Sequence, residues 1–187
     1  KLSSSYKIKK VKNNYYVNDT IYANEKIGLG IYTYDQSNDA YNKNGVNSIK
    51  VFLDSILIYH FKLDKLDFSK NKYINAHIDY EEKVLSRKKF HKCFKLPNNS
   101  LKNYKTIVNN GHIKLNDRIS SQIKIEVYDS YENKSELSFI LKKGLRKFED
   151  SLNVSEKGSK TFYWYNENNF SNNNFKISIN KNYLYET

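Results

Sequence analysis

The chain has 187 residues, with 32 basic and 20 acidic side chains giving a net charge of +12, and it carries 17 Tyr, 10 Phe and one Trp. So many rings supply enough buriable surface for a packed core, which excludes a largely disordered chain. A mean hydropathy of −0.80, with no apolar run near the roughly 20 residues that cross a bilayer, excludes a transmembrane helix. The single Cys93 excludes an internal disulfide and a cysteine-based structural zinc site.

The sequence opens at Lys1 without Met or an apolar leader, as expected of a mature product or of a piece of a longer chain. Lys1, Lys7, Lys9, Lys10 and Lys12 have no acid among them, so residues 1–19 are expected to form a basic N-terminal arm or strand. From Lys26 to Asp35 (KIGLGIYTYD) the period of two predicts one strand, with Ile27, Leu29, Ile31 and Thr33 on the core side and room beside Gly28 and Gly30 for a close neighbour. Asp35 to Gly45 reads as a loop. Val46–Leu53 and Ile56–Leu63 then form a hairpin around Asp54-Ser55, although Ser is a poorer second turn residue than Gly. Asp67 to Asn75 has no clear period and is expected to be irregular.

Asp79–Lys89 (DYEEKVLSRKK) predicts a helix, with Asp79 as N-cap, Glu81 and Glu82 in the first turn and cations at its end. A short strand is expected at His91–Leu96, a turn at Pro97–Ser100, an extended piece at Leu101–Val108 and a turn at Asn109-Asn110-Gly111. Ser121–Tyr128 alternates Ile123, Ile125 and Val127 inward against Lys124, Glu126 and Tyr128 outward, and Ser135–Leu141 completes a second hairpin. Short strands at this spacing predict an all-β fold: an immunoglobulin-like antiparallel β-sandwich over 20–143 with one short helix. Residues 144–187 read as a linker and the start of a second β domain.

The second acid-free stretch, Lys83 to Lys105, makes Lys83, Arg87, Lys88, Lys89, His91 and Lys92 candidate contacts for an anion or a partner, against the plainer reading of a solvated face. With three Arg against 29 Lys, bidentate base or phosphate contacts are scarce, so nucleic acid is not an expected partner. Lysine and asparagine usage of this kind is typical of an AT-rich genome, which accounts for part of the charge. Tyr163 and Tyr165, in TFYWYNENN, are candidate glycan-stacking rings, with core packing of a strand that buries Phe162 and Trp164 as the plainer account.

No catalytic motif is present. His60, His77, His91 and His112 stand apart in sequence, without the spacing that puts two imidazoles on one metal, and there is neither GxSxG nor a glycine-rich phosphate loop. Cys93 is expected to pack in the core. Whether the whole protein is an enzyme stays open at this point; no catalytic residue, metal ligand or cofactor is assigned to this chain.

The blocks IGLGIYTYDQSN, NKNGVNSIKVFLDSILIYHFKLDKLDFS, NKYINAHIDYE, LPNNSLKNY, GHIKL and IKIEVYDSYENKSELSF follow one another as in a known family. In this order they resemble the β-sandwich region C-terminal to the catalytic domain of lysostaphin-type zinc metallopeptidases of Bacteroidetes, which cleave peptidoglycan. The likeness spans most of 20–143, and FKISINKNYLYE resembles the start of that family's next β domain. Ser55 departs from the Gly that the family often has after Asp. The family's HxxxD and HxH zinc ligands have no counterpart, so zinc is expected only in a catalytic domain outside this chain. The resemblance implies a non-catalytic accessory module in the periplasm or outer envelope of a Gram-negative bacterium. It would position the enzyme in cis or dock it to peptidoglycan or an envelope protein. The alternative is a catalytically inactive structural or binding subunit of a periplasmic or outer-membrane assembly.

Overall fold

The structure is a computed structural model that describes residues 4–12, 14–36, 41–65, 67–116, 120–144 and 160–185. Among them the fold is all-β with short helical segments, and its main body is one eight-stranded sheet. The strands of that sheet are β1 (Lys9–Val11), β2 (Asn14–Tyr16), β3 (Ile21–Ala23), β6 (Ser48–Leu53), β7 (Ile56–Lys62), β9 (Tyr104–Ile107), β11 (Ser121–Tyr128) and β12 (Lys134–Lys143). They lie in the order β1-β2-β12-β11-β6-β7-β9, with β3 also on β12.

Register puts Ile125 opposite both Val51 and Leu137, Val127 opposite Ile49, and Ile49 opposite Phe61, so two neighbouring apolar rows cross the centre of the sheet. Over this face lie two two-stranded ribbons. One joins β4 (Lys26–Ile27) to β10 (Ile113–Lys114), the other β5 (Gly30–Tyr32) to β8 (Phe90–Lys92). Ile31, Cys93, Ile113 and Leu115 from this layer share a core with Ile49, Val51, Tyr59, Phe61, Ile123 and Phe139 from the sheet. Each large apolar side chain so buried contributes about 1.5–3 kcal/mol.

The hairpin at Asp54-Ser55 forms despite its serine. Both residues have positive φ, 47° and 71°, the geometry of a type I′ turn, and Asp54 is fixed further because its carboxylate accepts the Gln122 N–H at 2.7 Å. Among the described residues of the N-terminal segment, 9–11 and 14–16 are strand. β1 and β2 form a hairpin, and β2 and β3 run parallel to β12, an arrangement that a purely antiparallel expectation does not contain.

The strand expected over 26–35 is divided between the two ribbons. A Cβ at Gly28 would lie 2.5 Å from the Phe94 ring, so the chain passes that ring at the glycine and resumes as β5, keeping Ile27, Leu29 and Ile31 toward the core as the period requires. The stretch from Asp67 is ordered, not irregular: a 3-10 helix at Phe68–Tyr73 is capped by the Asp67 carboxylate, and α1 (Ile74–His77) follows. The next helix, α2 (Tyr80–Ser86), begins at the expected cap. Asp79 accepts the Glu82 N–H, and Arg87 ends the helix in the left-handed conformation.

Glu126 shares the outward side of β11 with Lys124 and Tyr128, as expected, but is buried there beneath their side chains. Lys124 and Tyr128 bond its two carboxylate oxygens at 2.9 and 2.8 Å, and Lys134 lies 3.7 Å away. Burial alone would raise its pKa, but these donors and charges outweigh burial and hold the carboxyl below its ordinary range.

Beyond 144, the linker read from sequence falls largely at 145–159, outside the described residues. The tail then forms a hairpin of β13 (Asn168–Ser171) and β14 (Lys176–Ile179), tied to the body where the Asn98 amide donates to the Leu184 carbonyl at 2.8 Å.

Gly111 holds the turn before β10 at φ 78°, and a Cβ there would lie 2.4 Å from the Cys93 carbonyl oxygen and 2.7 Å from Phe94 Cα. Backbone atoms cannot yield as a flexible side chain does. Gly111→Ala is therefore expected to cost at least about 2 kcal/mol in urea unfolding, whereas Gly45→Ala, with nothing within 4 Å, should change stability by no more than about 1 kcal/mol. Equal effects of the two substitutions would contradict this account.

Candidate functional site

Strand β8 is the meeting point of the residues that carry chemistry. The segment leading into it, Arg87-Lys88-Lys89, leaves α2 through the left-handed Arg87, and the side chains of Lys83, Arg87, Lys88 and Lys89 are all exposed. His91 and Lys92 do not belong to this exposed group. His91 lies directly opposite core-facing Ile31 and is 9% exposed, and Lys92 lies opposite Gly30 and is 4% exposed.

On the outer side of the β5–β8 ribbon the rings form a strip that counting charges did not reveal. Tyr32 and Phe90 are cross-strand partners with centroids 5.6 Å apart, and Tyr34, two residues along from Tyr32, stands 5.8 Å from it. Two cations stand beside the strip: Lys43 Nζ is 4.3 Å from the centroid of Tyr34 at one end, and Lys88 Nζ is 5.8 Å from that of the central Tyr32. The Asp35–Asn44 backbone pair holds the segment bearing Lys43 against the strip. The alternation of Tyr32 and Tyr34 was the available signal; Phe90 and the two lysines come from elsewhere in the chain.

Beneath β8 the fold brings together two histidines that are 14 residues apart. His77, fully buried at the end of α1, has Nε2 3.1 Å from His91 Nδ1. The Phe61 ring stacks on His77 at 4.0 Å, and the Tyr104 hydroxyl lies 3.5 Å from His77 Nδ1. Because Asn99 donates its amide to the Tyr104 oxygen, the hydroxyl proton is directed at His77 Nδ1. That nitrogen is then bare, His77 carries its proton on Nε2, and His91 accepts on Nδ1; these tautomers are assigned from the network. The expectation that the four histidines stand apart is corrected here. Their sequence spacing carries no motif, and only the facing of Ile31 and His91 hints at the pair.

Burial, then the neighbouring His91 and Lys92, push His77 down to about 3; burial, then Lys89, push His91 down to about 4. Both imidazoles are thus neutral donors and acceptors at ordinary pH. Cys93 packs in the core, its thiol pushed up to about 12 by burial, which removes it as a nucleophile.

Tyr163 and Tyr165 lie on a turn instead of a strand. The Asn168 side chain fixes that turn by accepting the Tyr163 N–H and donating to the Tyr163 and Asn166 carbonyls. The two rings are exposed with centroids 5.5 Å apart, and Phe162 and Trp164 are half-buried. Among the described residues no three His, Cys, Asp or Glu side chains gather closely enough to hold a metal ion, and no helix is long and apolar enough to cross a membrane. Comparison with protein-family models, with curated proteins and with solved structures found no match.

The histidine pair makes a signed prediction. Between the ordinary imidazole value near 6.5 and the lowered folded values, the unfolded chain binds more protons than the folded one. Stability is therefore complete above pH 6.5 and falls as the pH drops below it. Urea unfolding at pH 5.5 should give a stability about 2–3 kcal/mol lower than at pH 7.5, from two protons at about 1.4 kcal/mol per pH unit each. His60 and His112, also lowered chiefly by burial, act in the same direction. Equal stability at the two pH values would contradict a neutral buried pair.

Proposed function

We propose that this chain is a non-catalytic binding module, the accessory β-sandwich of a cell-envelope peptidoglycan metallopeptidase, which docks the enzyme to the polymer it cleaves. The observation that carries the reading is the Tyr34–Tyr32–Phe90 strip flanked by Lys43 and Lys88. Aromatic faces pack against the apolar faces of sugar rings, and ammonium groups beside them attract the carboxylates of an acidic glycopeptide. Each exposed ion pair contributes only about 0–1 kcal/mol, so recognition is cumulative, weak for a single contact and sensitive to salt. In this reading zinc chemistry belongs to a catalytic domain in cis, and the periplasm or outer envelope is where the module works.

A second reading, a structural or binding subunit of an envelope assembly, is favoured by one observation. Tyr80, Val84 and Leu85 leave α2 with a large exposed apolar surface, 60% or more for each residue.

Sedimentation of the full chain with purified sacculi distinguishes the readings. Tyr34→Ala, and separately Lys43→Glu with Lys88→Glu, are expected to weaken binding about fivefold or more at low salt, and raised salt should reduce binding of the unaltered chain. Loss on Tyr163→Ala or Tyr165→Ala instead would move the glycan surface to the turn of the tail. Failure of the unaltered chain to sediment with sacculi, or undiminished binding in every variant, would overturn the glycan reading.

A further inference from the structure

Lys89, next to the Lys88 that stands near Tyr32, lines a separate feature. Between α1 and α2 the chain leaves a cavity of about 250 Å³ lined by Ile74, Asn75, Ile78, Tyr80, Lys83 and Lys89. It is smaller than the pockets that hold drug-sized ligands, so its occupant is a small group or the end of a longer molecule. The lining has a definite chemistry. Ile74 and Ile78 supply apolar surface, Asn75 an amide, Tyr80 a ring and hydroxyl, and the two lysines supply the charge.

No carboxylate lines the cavity, although α2 carries several nearby. Asp79 accepts the Glu82 N–H, and the Glu82 carboxylate accepts the Ser86 hydroxyl at 3.2 Å. Lys83 and Lys89 approach from different elements, one from within α2 and one from the strand-like segment after it. The lining thus combines two exposed lysines with the apolar surface of two isoleucines, which complements an anion carrying a short aliphatic group.

The walls are held rigidly. Ile78 pairs with His91 through an isolated antiparallel bridge, the Asp79 N–H donates to the Phe90 carbonyl at 2.9 Å, and the His77–His91 bond ties α1 to β8 from below. The α1 side of the cavity is thus tied to the buried polar network, while Lys89 reaches it from the short segment between α2 and β8. Pre-formed walls spare a ligand much of the cost of ordering its site.

We propose that this cavity binds the free C-terminal carboxylate of a peptide with a small aliphatic last residue. Lys83 and Lys89 take the carboxylate, and Ile74 and Ile78 take the side chain. The assignment does not rest on the glycan strip, because it uses a different set of residues.

The test titrates N-acetyl-Ala-Ala and its C-terminal amide into the full isotope-labelled chain, followed by methyl and amide NMR shifts. The free acid is expected to give saturable shifts centred on Ile74 and Ile78 and to bind about tenfold more tightly than the amide. Acetate alone, lacking the aliphatic part, should bind more weakly than the dipeptide. Lys83→Gln and Lys89→Gln should each weaken the dipeptide about threefold or more, while Lys88→Gln and Tyr34→Ala leave it unchanged. Equal binding of acid and amide, shifts centred elsewhere, no saturable shift, or unaltered affinity in both Lys83→Gln and Lys89→Gln would overturn the proposal. Since Tyr34→Ala tests the strip and the two glutamine variants test the cavity, failure of one reading is separable from failure of the other.

Discussion

The chain of hydrogen bonds from Asn99 through Tyr104 and His77 to His91 is the constraint on which the rest of the molecule depends. It joins the turn before β9, β9 at the edge of the main sheet, α1 and β8 of the overlying ribbon, and so ties the two layers together. Two neutral imidazoles in contact cost far less to bury than one charged imidazole would, provided each nitrogen has a partner, and here the donors run in a single direction. Phe61, stacked on His77, closes the network from the sheet side.

Both proposed surfaces are consequences of this arrangement. Fixing His91 inward sends its neighbour Phe90 to the ribbon's outer side beside Tyr32, and the Ile78–His91 bridge sets the floor of the small cavity. Of the consecutive, exposed Lys88 and Lys89, the first lies near the Tyr32 ring and the second lines the cavity. The residues proposed to bind therefore stand on short segments beside an anchored strand.

Much of the scaffold was legible in the sequence because its determinants are local. The period-two rows of Ile123, Ile125 and Val127, the Asp54-Ser55 and Asp129–Asn133 turns and the Asp79 cap act over a few residues and lie where expected. What escaped depends on distant partners. The division of the 26–35 strand follows from the Phe94 ring, and the parallel seat of β2 and β3 follows from β12, more than a hundred residues away. Burial of His91 and Lys92 was invisible to any rule that sends polar residues outward, because their surroundings come from other elements, and Glu126 is covered by the long side chains of Lys124 and Tyr128 on its own strand. The basic segment was legible as a run of charge, but its division into exposed Lys83, Arg87, Lys88 and Lys89 and buried His91 and Lys92 was not.

The most direct test of the buried network is the protonation state of its two histidines, read from long-range proton–nitrogen correlations of the imidazoles in the intact chain at pH 7.5, 6.5 and 5.5. Both rings should remain neutral throughout, His77 protonated on Nε2 with Nδ1 bare and His91 bare on Nδ1. Titration of either His77 or His91 with a midpoint near 6.5, or a proton on His77 Nδ1, would contradict the account.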